Sequence, residues 1–274
     1  MNKKFKEKFI AGGCSFTFGH ELSDYNEGKT PSKQSWAYIL SQEENCCQPD
    51  NYICTARPGS GNPGIARRVF NAVANTKDIG CVVVMWSFLS RYDWAMPRHS
   101  NLESTRWVTI TPWDTKMASE ERHNALVGSE PQQEQWKRRE DLLINTGVKP
   151  FADTIYRYAA NEYHETYSSW KSIIWLQNIL EKRKIPYMFT LADNSLFYKE
   201  FDQHKDQDPF MTALHNEIDL TNWFFFGERN MGFNQWALLN EYERGTTHPL
   251  DKAHRDAVKL MQPTFEKIIG GKNV

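Results

Sequence analysis

The chain has 274 residues, enough to bury a large core without disulfide or metal staples. Its formal net charge of −1 gives no global bias towards nucleic acid or a membrane surface, and no stretch approaches the roughly 20 apolar residues of a membrane span. The five cysteines (Cys14, Cys46, Cys47, Cys54 and Cys81) are odd in number and lack zinc-type spacing. With the basic MNKKFKEKF start and no long apolar segment behind it, they predict a reduced, soluble, cytoplasmic protein.

In chain order, the first apolar run is FIAGG, Phe9 to Gly13, followed by CSFTFG. It reads as a buried strand that ends in a tight glycine turn and presents Ser15. A serine hydroxyl in that place is either a helix cap or a nucleophile that borrows its base from elsewhere in the chain. SWAYILSQEE, Ser35 to Glu44, has helical spacing, and Asn51 to Ala56 (NYICTA) reads as a second strand. ARPGSGNPG follows it, a glycine-rich link that lets backbone N–H groups approach a negative oxygen and lacks the GxxxxGK[ST] pattern of a phosphate loop. A helix is predicted over Asn62 to Asn75 and a third strand over Cys81 to Ser87.

Residues from about 90 to 150 are polar and irregular, apart from the charged helical stretch EPQQEQWKRREDLL. One long helix is predicted from Asp153 to about Arg183, a fourth strand over Pro186 to Ala192, and a second irregular insertion over about 193–245. The last helix starts near Asp251, just after GTTHPL. A histidine held by a following proline at a helix start can aim its imidazole at a sheet edge, which makes His248 a candidate base. Strands alternating with helices predict one α/β domain spanning 1–274, a three-layer α/β/α sandwich around a mostly parallel, doubly wound sheet. The insertions after strands would lie where such sheets bind ligands.

These motifs together resemble the SGNH (GDSL-like) hydrolases, over nearly the whole chain. GCSFTFG, Gly13 to Gly19, is similar to the family's GDSxxxG block with Cys14 in the aspartate position; GSGN resembles the second block, with Gly61 as the oxyanion donor; HPLDKAH resembles the last. The resemblance implies a flavodoxin-like sheet, Ser15 as nucleophile and no cofactor. Two departures stand out. The third block, GxND, is replaced by MWSFLSRYDW, leaving Ser87, Ser90 and Arg91 where the donor asparagine would be. The DxxH pair is also displaced. With His248 as the family histidine the aspartate position holds Gly245, whereas Asp251 and His254 keep the spacing but place the histidine inside the helix. The acid is then Asp251, Glu241 or Glu243, or it is missing.

The expected function is an ester hydrolase acting on a polar, small-molecule or glycan ester. Ser87, Arg91 and Gly61 would serve the oxyanion, and Trp86, Trp94 and Trp223, with Trp113 and Trp236, would wall the substrate cleft. The alternatives are an impaired binding or structural module of bacterial or phage type and, third, an acyl transferase. Cys14 is expected to be structural. No metal site is expected, because His99, His123, His164, His204 and His215 are scattered.

Overall fold

In the computed structural model, the described residues are 7–43, 47–95, 107–115, 134, 137, 144, 147–197 and 208–270. Four strands form one parallel sheet in the order β2-β1-β3-β6: β1 Lys8–Gly12, β2 Tyr52–Cys54, β3 Ile79–Trp86 and β6 Tyr187–Leu191. All four predicted strands are present, with ends shifted by one or two residues. A separate antiparallel pair, β4 Tyr92–Ala95 and β5 Trp107–Ile110, comes from the first insertion.

The sheet is buried on both faces, which explains why its strands read as uninterrupted apolar runs. Side chains alternate between two cores. Phe9, Ala11, Cys81, Val83, Met85 and Met188 point to one, where helix α2 Trp36–Gln42, helix α7 Phe233–Leu239 and the last helix, α8 Asp251–Gly270, cover them. Ile10, Val82, Val84, Trp86, Tyr187, Phe189 and Leu191 point to the other, against α3 Asn62–Asn75 and α5 Glu162–Lys182. The architecture is therefore a three-layer α/β/α sandwich with a doubly wound parallel sheet, as the alternation predicts.

The predicted long helix is two helices. Helix α4, Val148–Tyr158, ends before α5, which is capped by Asn161: its side chain accepts from His164 N. An asparagine that caps a new helix satisfies its first N–H groups and redirects the chain there. The apolar pattern continues across the junction and hides it. Helix α4 packs instead under β5, in a small core of Ile110, Val148, Ala152 and Ile155. EPQQEQWKRREDLL lies largely outside the described residues, as do His99, His123 and His204. The second insertion holds the short helix α6, Pro209–Asn216, and α7.

Cys14, Cys47, Cys54 and Cys81 are free thiols. Among the described residues, no helix is long and apolar enough to cross a membrane.

Candidate active site

The sheet order puts β1 beside β2 on one edge and β3 on the other, so the chain reverses direction of winding at β1. Ligands in open α/β sheets bind outside the carboxyl ends of the strands at such a switch point. Ser15 stands there, opening the short helix α1, Ser15–Phe18. Two glycines make this turn. A side chain at Gly13, where φ is +156°, would run into Thr17, and Gly19, at φ +83°, is the left-handed cap that ends α1.

Ser15 is a buried serine, and its Oγ lies 2.8 Å from His248 Nε2. His248 comes from the loop before α8. There Gly245 N donates to His248 O at 2.9 Å, and Leu250 N donates to Glu243 O at 3.0 Å. The other ring nitrogen, Nδ1, lies 2.8 Å from Glu21 Oε2 and 2.8 Å from Thr247 Oγ1. Ser15, His248 and Glu21 thus form one continuous chain of contacts.

Glu21 is the residue that the sequence reading missed. It sits two residues past the glycine cap, in the left-handed region at φ 69°. That conformation is costly for a glutamate and is held by the contacts around it. Its carboxylate accepts from Thr246 N, Thr247 N and His248 N, each at 3.0 Å. Burial alone would raise its pKa. The hydrogen bonds from His248 and from the Thr247 backbone outweigh burial and hold the carboxyl well below the usual carboxylate range. An ionised Glu21 orients the imidazole so that Nδ1 carries the proton and Nε2 accepts from Ser15.

The remaining acid candidates are placed elsewhere. Asp251 begins α8 and accepts from Ser23 N at 3.0 Å and Ser23 Oγ at 2.5 Å. Among the described residues neither the Glu241 nor the Glu243 side chain makes a hydrogen bond or ion pair with His248. His254 is a core histidine: its Nδ1 accepts from Trp36 N at 3.0 Å and its ring packs on Phe233. Burial, then the neighbouring His248, lowers its pKa to about 3. It belongs to the packing of α8 on α2, and among the described residues it makes no hydrogen bond to Ser15.

The second and third blocks are locked together. Asn62 Oδ1 accepts from Ser87 N at 2.7 Å, and Asn62 Nδ2 donates to Ser87 O at 3.1 Å and to Ser169 Oγ at 3.0 Å. Arg91 Nη1 donates to Ser87 Oγ at 2.8 Å and to Ser60 O at 3.3 Å. The Ser87 backbone donor is therefore spent, and among the described residues neither Ser87 nor Arg91 bonds to Ser15 or His248. Gly61 precedes α3, with its place fixed by the Arg91 backbone: an added Cβ would collide with the Arg91 carbonyl.

The tryptophans divide by burial. Trp86 is fully buried between β3 and the α3–α5 layer, and Trp223 and Trp236 are also core. They build the fold and do not wall an open cleft. Trp94, at 49% exposure, and Trp113, at 58%, lie on the surface of the first insertion. Cys14 is buried in the core, as expected. His164 stacks on Tyr92, and His215 packs against Trp170 and Phe197. One group with metal-ligand chemistry does exist among the described residues: His20, Glu21 and His248, whose ligand atoms all lie within 4.8 Å of one another.

Serine after the first strand and histidine before the last helix meet beyond the carboxyl end of β1. No family model matches the chain, and no curated protein matches it. Among solved structures, it is similar to a protein of the G-D-S-L family from Desulfitobacterium hafniense DCB-2 (12% identity, TM-score 0.44, covering 94% of this chain and 98% of that one). It is also similar to a member of the lipolytic protein G-D-S-L family from Veillonella parvula DSM 2008 (10% identity, TM-score 0.43, 95% and 99%). A third is AlinE4, an SGNH-hydrolase family esterase (9% identity, TM-score 0.35, 97% of each chain).

Proposed function

We propose that the protein is a serine ester hydrolase in which Ser15 attacks an acyl carbonyl, His248 takes the serine proton and Glu21 holds the imidazole. One observation carries this reading: the unbroken relay Ser15 Oγ–His248 Nε2, 2.8 Å, and His248 Nδ1–Glu21 Oε2, 2.8 Å. A nucleophile within hydrogen-bond reach of a base, itself oriented by a third group, is the geometry of an activated serine.

As Ser15 Oγ bonds to the carbonyl carbon, its proton passes to His248 Nε2, and the imidazolium is stabilised by the ionised Glu21. The carbonyl oxygen becomes an oxyanion, for which the Ser15 and Gly61 backbone N–H groups are the donors. The imidazolium then protonates the leaving alcohol. Water, deprotonated by the same histidine, releases the acid and restores Ser15. The substrate class is an acyl ester on a polar scaffold. The buried tryptophans give no support to a sugar-stacking cleft.

The test is a fluorophosphonate probe together with a chromogenic acetyl ester. Labelling at Ser15 and turnover that Ser15→Ala abolishes are expected. No labelling and no turnover in the wild type would refute the proposal and leave a binding module on a hydrolase-like fold.

A further inference from the structure

His20 has no place in the relay, yet it lies against it. Its ring meets the His248 ring edge-on, with centroids 5.0 Å apart, and the Tyr25 ring at 4.6 Å. Its Nδ1 is buried and has no hydrogen-bond partner among the described residues. A buried, unpaired imidazole nitrogen is costly and invites an explanation. The same ring is one corner of the His20–Glu21–His248 group. Two imidazoles and a carboxylate are a donor set that suits zinc, with a fourth position left for water.

We propose that His20, Glu21 and His248 form an inhibitory site for a zinc ion. The ligands are one ring nitrogen of His20, Glu21 Oε2 and His248 Nδ1. Ligand atoms of a tetrahedral zinc stand roughly 3.3 Å apart, given bonds of about 2.0 Å, so the ion has to part His248 Nδ1 and Glu21 Oε2, now 2.8 Å apart, while His20 closes on them from within 4.8 Å. The backbone donors from Thr246, Thr247 and His248 already fix the Glu21 carboxylate, as outer hydrogen bonds do around metal ligands.

The proton balance makes the ion an off-switch. In the free enzyme His248 Nδ1 carries the proton and Nε2 is the acceptor. Zinc takes the Nδ1 lone pair, so that proton leaves Nδ1 and the neutral ring holds one on Nε2 instead. Nε2–H then donates to Ser15 Oγ and is unable to accept its proton. No redox step and no further reactant is needed.

The binding half of this inference stands on geometry alone, while inhibition rests on the proposed hydrolase. Titrating the full-length chain with Zn²⁺ by calorimetry, and with Co²⁺ by visible absorption, separates the two. Saturable one-to-one zinc binding at micromolar concentration is expected, with tetrahedral Co²⁺ bands and a raised melting temperature. His20→Gln is expected to weaken zinc at least about tenfold, since loss of even an outer partner of a metal ligand costs 10–100-fold. His164→Gln, on the exposed side of α5, should bind zinc as the wild type does. Absence of binding at submillimolar zinc, or unchanged affinity in His20→Gln, overturns the site. If His20→Gln loses its fold, Glu21→Gln serves in its place, and unchanged zinc affinity there overturns the site equally. Where ester turnover is present, zinc should inhibit it at the concentration that saturates binding. Stoichiometric binding without inhibition overturns the switch and leaves the hydrolase reading intact; absence of turnover leaves the binding test unaffected.

Discussion

Gly245 lies against the carboxylate of Glu21: a Cβ added to the glycine would stand 3.0 Å from Glu21 Cδ and 3.0 Å from Oε2. Gly245 is three residues before His248, where the family resemblance puts the aspartate. On the proposed mechanism the acid comes from a different place in the chain than the resemblance implies, and it lies beside the position that the resemblance gives to the aspartate. Glu21 reaches His248 from the segment after Ser15, 227 residues away in sequence, and Gly245, with no side chain, leaves room for it.

Glu21 should then carry the role that an aspartate carries in a serine triad. Replacing that acid by its amide costs about 10⁴ in rate in a serine protease, by favouring the wrong imidazole tautomer. Glu21→Gln is expected to lower kcat by about 10³–10⁴-fold with little change in KM. Asp251→Asn, whose side chain bonds Ser23 and faces Arg255 rather than His248, should stay within a few-fold of wild type. Steady-state kinetics on one chromogenic ester decides, and equal losses in the two variants would contradict the assignment.

The fold was largely legible because its information is local. β1, β3 and β6 are continuous apolar runs, and a run of that kind fits a strand covered on both faces. Ser15 and His248 were legible for a similar reason: each sits at a strand or helix boundary marked by Gly or Pro. Glu21 was not. Its role depends on a left-handed backbone and on a loop brought from the far end of the chain, and neither leaves a pattern in sequence spacing. The tryptophans failed in the opposite sense, since composition does not separate a core indole from a cleft indole. Trp86, in a strand with both faces covered, is in the core.

That distinction is measurable. Trp86 is fully buried, and its Nε1 has no hydrogen-bond partner among the described residues. Trp86→Phe therefore removes packing and no hydrogen bond. A destabilisation of about 1–2 kcal/mol in urea unfolding is expected, with KM unchanged. A raised KM at unchanged stability would place Trp86 in the substrate cleft instead.

His254 makes stability depend on pH. Burial keeps its folded-state pKa near 3, against an ordinary value of 6.5. Below pH 6.5 the unfolded chain binds a proton at this residue and the folded chain does not, so stability falls as pH drops from 6.5 towards 3. The depressed Glu21 carboxyl adds a loss of the same sign below its ordinary 4.5. The His254 share is a slope of up to about 1.4 kcal/mol per pH unit. His254→Asn should be less stable at pH 7, through the lost contacts with Trp36 N and Phe233, and should show a shallower slope between pH 6 and 4. Denaturant midpoints across that range test it, and parallel curves for the two proteins would show that His254 is not the titrating group.

The displaced acid also predicts a rescue. Glu21→Ala empties the space beside Gly245 and leaves Thr246 N, Thr247 N and His248 N without their acceptor, so it should lose at least as much activity as the amide. Gly245→Asp alone should also be impaired, because two carboxylates would crowd one imidazole and one must take up a proton or move away. In Glu21→Ala/Gly245→Asp the second change supplies the charge that the first removed, three residues from the base. The double variant is expected to exceed Glu21→Ala by about tenfold or more in kcat/KM, a strong departure from additivity of the kind that contacting residues show. Losses that multiply would mean that Gly245 serves only as a turn, and that the space it leaves for Glu21 has no bearing on the position of the acid.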